Sequence, residues 1–323
     1  MAAIANSDIQ VQAGTCAWTP PSTVTDHLGG QLSSDLDFFV APPREIGTVV
    51  HAYTSLKRAV ESPSKEKRIT TTITVAGVVV CAGVGLTYLT HTDWLIVTGI
   101  VAAIAALITW FMSGFKHTCN YVGTEGCAEF KCVGERETLK EKRLFCFKDA
   151  WALSTGMTRH YTNGIYTRTS FRFYWYPPEG GKSIYAIAGQ HSSNLKTPPL
   201  KNSYNFACAV ENAWIKYLLP KINTDLQQKG YANFFMGDGR WARLGPGFLD
   251  IVDKQGNVSR CEAGDIGSAK IASGVFSLTR KDAKSKFFGL LGSTGTFKFN
   301  YAGMYNARLF LLAFQDLLNI KVQ

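Results

Sequence analysis

The apolar positions of this chain gather into two runs, residues 69–89 and 94–115, of 21 and 22 residues, neither containing a charged side chain. At about 1.5 Å of rise per residue, each run as a helix covers a hydrocarbon core of roughly 30 Å. Only Thr90, His91, Thr92 and Asp93 separate them. So short a link permits a tight reversal and nothing more, which predicts an antiparallel transmembrane hairpin with both flanking regions on one side. A buried hairpin in a soluble core is the competing reading, disfavoured because such helices seldom run past about twenty residues without a charge.

Within the runs, Gly77, Cys81 and Gly85 recur every four residues, and Gly99, Ala103 and Ala106 form a similar small face. In lipid, small residues at this spacing let helix backbones approach closely. The contact they predict lies inside the hairpin or between protomers of a homo-oligomer, and the spacing serves both.

Outside the runs the pattern changes. Residues 1–37 are rich in Ser, Thr, Gly, Ala and Gln without a sustained period and read as a mobile arm. Residues 38–68 form a juxtamembrane segment in which Val49, Val50, Tyr53 and Leu56 suggest one strand, able to pair with the region beyond the hairpin. From Thr118 onward, short β-prone runs at 128–133, 144–153, 164–176 and 183–189 are broken by turn signals at Asn163-Gly164 and Pro177-Pro178. A helix then follows over about 203–219, with Phe206, Val210, Trp214 and Leu218 on one stripe and Pro220 closing it. The order repeats: strands near 234–236, 240–243, 247–252, 258–261, 275–278 and 295–300 precede a helix capped by Asn306 and carrying Phe310, Ala313, Phe314 and Leu317. The predicted class is α+β. A two-helix transmembrane hairpin over 69–115 leads into two small antiparallel β-barrels or sandwiches, 116–225 and 226–323, each closed by a C-terminal helix.

Charge sets the topology. Lys57, Arg58, Lys65, Lys67 and Arg68 precede the first run, Lys116 and Lys131 follow the second, and the reversal has no basic residue. Basic flanks are retained on the cytoplasmic face, so both termini are expected there, in a multi-pass arrangement. Residues 116–323 hold 28 basic and 16 acidic side chains, a net charge of +12. A basic domain beside a bilayer meets anionic lipid first, which makes nucleic acid a less favoured partner. The eight cysteines contain no CxxC pair and read as free thiols in a reducing compartment. No basic segment followed by an apolar core opens the chain, so no cleavable signal is expected.

The strands-then-helix order over about 118–219 and 231–320 resembles the pleckstrin-homology-like superfold. With the hairpin, the Tyr161-Thr162-Asn163-Gly164-Ile165-Tyr166 turn and Asn306, the chain is similar to an uncharacterised bacterial family of membrane-anchored proteins. The resemblance implies binding or scaffolding at a bacterial inner membrane. It carries no catalytic residue and names no ligand.

No catalytic or nucleotide-binding motif appears, and no cofactor or metal site is predicted. His160 has no visible acid or nucleophile partner. Asp238, Asp250 and Asp253 lack the regular spacing of a calcium loop and suit turns. Arg168, Arg172, Tyr174 and Tyr176 suit base stacking, but the alternation of any half-buried strand produces the same pattern. The candidate contact site is Arg280, Lys281, Lys284 and Lys286, followed by Phe287 and Phe288. Cations beside aromatics fit anionic lipid or an acidic protein partner; a solvated loop with the two Phe rings in the core fits equally. The expected function is therefore a non-enzymatic, membrane-anchored scaffold or binding platform. An oligomeric pore or membrane-perturbing effector is the alternative, disfavoured by spans that lack ionisable residues.

Overall fold

The computed structural model describes residues 18–57, 65–90, 95–112, 115–134, 139–192, 203–281 and 296–323. The chain divides into two compact units, residues 1–122 with 127–144, and residues 123–126 with 145–323.

In the first unit, strands β1 (Val49–Thr54), β2 (Phe115–Gly123), β3 (Gly126–Gly134) and β4 (Leu139–Cys146) form a sheet in the order β1-β2-β3-β4. The strand expected before the apolar runs thus pairs with the strand after them. Cys119 and Tyr121 on β2, and Ala128, Phe130 and Cys132 on β3, alternate onto one face and are buried with Phe38, Ile46 and Leu56. The described part of the N-terminal arm packs onto this core. Trp18 meets Phe38 edge-on at 5.0 Å and Tyr121 at 5.2 Å, Val24 is buried, and Ala52 N–H donates to the Thr25 carbonyl at 2.9 Å. The mobility expected of residues 18–37 therefore does not hold, because a few apolar anchors suffice to dock a polar stretch; residues 1–17 lie outside the described residues. The Tyr121 hydroxyl donates to the Val40 carbonyl, so its burial leaves no unmet polar group. Cys119, Cys127 and Cys132 are buried, filling space as small hydrophobes.

The same unit holds α1 (Lys65–Thr90) and α2 (Leu95–Met112). By length and composition α1 is able to cross a bilayer over Glu66–Thr90, whereas the apolar stretch of α2, Ile96–Trp110, is shorter. Helix α2 stops before the end of its apolar run because Phe115 already belongs to β2.

The second unit opens with β5 (Ala152–Thr162), β6 (Ile165–Tyr176) and β7 (Tyr185–His191), an antiparallel sheet. On β6, Phe171, Phe173 and Trp175 are buried while Arg172 faces solvent, the alternation predicted for a half-buried strand. Helix α3 (Ser203–Lys229) buries Phe206, Val210, Trp214 and Leu218 as expected but runs straight through Pro220. Pro220 is exposed, and its missing N–H costs one hydrogen bond on a solvent-facing side, where the helix tolerates it. The helix ends at Gly230, which adopts φ 78° and donates to the Leu226 carbonyl.

Strands β8 (Ala232–Phe235), β9 (Trp241–Gly245), β10 (Phe248–Val252) and β11 (Val258–Glu262) make a meander, and β12 (Ile266–Ala272), β13 (Val275–Arg280) and β14 (Thr296–Asn300) a third sheet of this unit. Helix α4 (Ala307–Leu318) sets Phe310 and Phe314 against Phe276 at 5.8 and 5.2 Å, with Phe299 stacked on Phe276 at 4.8 Å. The fold is thus α+β with open antiparallel sheets. Among the described residues none of the four sheets closes on itself, so the expected barrels are absent: each sheet is only three or four strands wide, too few to meet edge to edge.

One buried group makes the first unit sensitive to acid. His27 is 7 % exposed, and burial, aided by His51, lowers its pKa from 6.5 to about 3. Between these values the unfolded chain holds a proton that the folded chain does not, so stability falls as pH falls through this window. The slope is up to about 1.4 kcal/mol per pH unit. Denaturant melts of the full chain in detergent at pH 7 and pH 5 should show this loss, and His27→Gln should flatten it. An undiminished slope in His27→Gln would assign the acid sensitivity elsewhere.

Candidate functional site

The helix pair has two distinct surfaces. Arg68, Thr72, Ala76, Val79, Gly83 and Thr87 mark the covered stripe of α1, and Thr98, Ala102, Ala105, Ala106, Thr109 and Trp110 that of α2. These positions recur at three and four residues, one face of each helix. A side chain added at Gly83 would strike Thr98, so glycine here permits the close approach of the two backbones. At the far end Arg68 is buried, donates to the Trp110 carbonyl at 3.0 Å and lies 4.3 Å from the centre of the Trp110 ring. The cation thereby meets both an aromatic face and the negative end of α2. Contact of the start of α1 with the end of α2, and of Gly83 with Thr98, makes the pair antiparallel.

The opposite surfaces are apolar and bare. Ile73 is 66 % exposed, Leu89 and Ile96 each 77 %, and none of the apolar window of α1 is buried. Several threonines in this region do not present free hydroxyls. Thr70, Thr74, Thr87 and Thr90 donate to the carbonyls of Glu66, Thr70, Gly83 and Leu86, and Thr109 to that of Ala105. Each donor is met within its own helix, by the carbonyl one turn back.

Of the small residues singled out by spacing, Ala106 lies on the covered stripe, whereas Gly77, Cys81, Gly85, Gly99 and Ala103 are exposed. A side chain at Gly77, Gly85 or Gly99 would meet nothing within 4 Å. The seam passes through Gly83 instead, two positions from the repeat. Sequence reasoning missed Gly83 and Arg68 because several small faces were available on these helices and only the packing selects one.

Of the basic segment, Arg280 and Lys281 are described. Arg280 ends β13 and approaches Asp265 at 3.4 Å, while Lys281 N–H donates to the Asp265 carbonyl at 2.7 Å and its side chain is exposed. Lys284, Lys286, Phe287 and Phe288 lie outside the described residues.

A second polar cluster sits within the second unit. Asn306 adopts φ 52° at the start of α4 but does not cap it with its side chain. Its Oδ1 accepts from Leu153 N–H at 3.0 Å and from Trp214 Nε1 at 2.9 Å, and its Nδ2 donates to the Trp151 carbonyl at 3.3 Å. One amide thus ties β5, α3 and α4 together. Beside it Arg308 pairs with Glu211 at 3.0 Å. Burial raises the Glu211 pKa against the opposing pull of Arg308, and burial pushes the Cys208 thiol up to about 11. Cys208 therefore stays protonated at neutral pH, the reverse of an activated nucleophile. The crevice bounded by Leu153, Glu211, Trp214, Asn306 and Arg308 is too tight to hold a water molecule. Among the described residues no three His, Cys, Asp or Glu side chains group as a metal site.

No protein-family model matches the chain, and no curated protein matches its sequence.

The seam predicts an asymmetric response to bulk. Gly83→Leu should separate α1 from α2 and lower the detergent melting temperature by several degrees, while Gly77→Leu and Gly85→Leu should leave it unchanged. Equal loss in all three variants would place the contact surface on the Gly77 face.

Proposed function

We propose that the protein is a membrane-anchored, non-enzymatic binding platform. In this reading α1 and α2 cross a bilayer as a two-pass hairpin with both termini cytoplasmic. The β-rich, basic region, read as pleckstrin-homology-like in its order of open sheets followed by a helix, acts at the membrane surface on anionic lipid or an acidic protein partner. The observation that carries the proposal is the bare apolar surface shared by α1 and α2. Exposure to water of so many aliphatic side chains costs about 25 cal/mol for each Å², and a lipid environment removes that cost. The net charge of +12 beyond residue 115 favours an anionic surface over a neutral one.

A pore is the weaker alternative. Hydroxyls bonded within their own helices offer no hydrated path, and Arg68 is occupied at the seam.

Topology provides the test. A cysteine at Thr92 should react with an impermeant thiol reagent in intact cells, and one at Ser7 should react only after permeabilisation, each scored against the native thiols. Labelling of Ser7→Cys in intact cells would reverse the orientation. Reconstituted in liposomes, the protein should leave ion gradients intact; ion flux abolished by Thr74→Leu or Thr98→Leu would favour the pore.

A further inference from the structure

Strands β5 and β6 continue past the sheet to which they belong. Among the described residues, strand β7 accompanies β6 only as far as the pairing of Thr169 with His191, and beyond it β5 and β6 pair only with each other up to the turn at Asn163 and Gly164. Both turn residues have positive φ, 51° and 77°, the geometry of a two-residue hairpin reversal. From Arg159 to Thr162, at about 3.4 Å per residue, the arm reaches roughly 10 Å beyond the end of β7.

The arm carries apolar groups at its tip. Ile165 at the turn is 71 % exposed and Tyr161 57 %. Tyr161 and Tyr166 meet edge to face at 6.0 Å, which holds the tip rings together. Polar groups close by are satisfied within the arm: His160 Nε2 and Ser170 Oγ are 2.7 Å apart, and Tyr166 and Thr169 share a hydrogen bond of 2.8 Å. Exposed Arg159, Arg168 and Arg172 stand behind the tip, and no acidic residue occurs between Asp149 and Glu179. An apolar tip with a collar of cations and no anion matches the headgroup boundary of an anionic bilayer, where aromatic and aliphatic groups enter and arginines meet phosphate.

We propose that the β5–β6 hairpin is an interfacial arm that seats Tyr161 and Ile165 in an anionic lipid surface, held there by Arg159 and Arg168. Lipid is the occupant because of this charge complementarity and because the same chain carries α1, a helix long and apolar enough to span a bilayer. The inference rests on the membrane-anchored reading and adds a contact site separate from the basic segment at Arg280.

The test uses the full chain in lipid nanodiscs, one set purely zwitterionic and one containing phosphatidylglycerol, with hydroxyl-radical footprinting read by mass spectrometry. Oxidation of Tyr161 and Ile165 should fall by about threefold or more in the anionic discs, as expected for side chains that leave water, while Trp241 and Leu312 on the same unit stay unchanged. Arg159→Glu with Arg168→Glu should remove the protection, and so should raising salt. Should that double variant fail to fold by circular dichroism, Ile165→Ser with Tyr161→Ser serves in its place, and the protection of Tyr166 should drop. Equal oxidation in the two lipids, or protection that survives the charge reversal, overturns the arm while leaving the anchor intact. Failure of the chain to enter nanodiscs of either kind overturns both. Protection by added polyglutamate in detergent but not by anionic discs would assign the arm to an acidic protein surface and overturn the lipid occupant.

Discussion

An apolar surface on two packed helices, left uncovered by the rest of their own unit, constrains everything else about this protein. Helices α1 and α2 meet along a narrow seam of small residues and threonines, and the aliphatic side chains on their other faces point outward. A soluble fold would turn those side chains inward, since their burial is the main favourable term in folding. Here the inward positions go to Gly83, Ala76 and Ala102, which bury little area but allow close approach. In the proposed membrane reading that inversion follows the logic of packing in lipid, where apolar contact with solvent is free and backbone proximity supplies the attraction. The threonines obey the same constraint by spending their hydroxyls on carbonyls one turn back.

Outside α1 and α2, the two compact units bury their apolar faces in the ordinary way. In the first, a four-stranded sheet buries one alternating face against Phe38, Ile46 and Leu56. In the second, the Phe276, Phe299, Phe310 and Phe314 rings fill the space between α4 and a three-stranded sheet. Asn306 is the polar counterpart of that core. Removing its amide would orphan the indole of Trp214 and two backbone groups at once, a loss well beyond that of a helix cap.

Much of this architecture is legible in the sequence where a period or a turn is strong. Phe171, Phe173 and Trp175 announce a half-buried strand, the stripe from Phe206 to Leu218 announces α3, and the strand before the apolar runs pairs as its β-branched residues suggest. What escapes is whatever depends on a partner far along the chain. Asn306 is readable as the start of α4, but its bonds to Leu153 and Trp214 lie 153 and 92 residues away. Strand β12 carries Gly, Ser, Ala and Lys and shows no alternation; its pairing with β13 decides its conformation. Pro220 reads as a stop and is not one, because α3 is already held by the buried positions from Asn205 to Leu218 before it. Residues 18–37 read as free chain because a handful of anchors, Trp18 and Val24 among them, carries no periodic signal. Of the basic contact segment, only Arg280 and Lys281 fall within the described residues.

The central claim is that the exposed helix surface belongs in lipid. Membranes from cells expressing the full chain, washed with high salt and then with alkaline carbonate, test it directly. The account predicts that the protein stays in the pellet through both washes and leaves only with detergent, because burial of the α1 and α2 surface is insensitive to charge and ionic strength. Release by carbonate would mean that the protein is held at the surface by its basic groups alone, and that the apolar face is covered by protein instead.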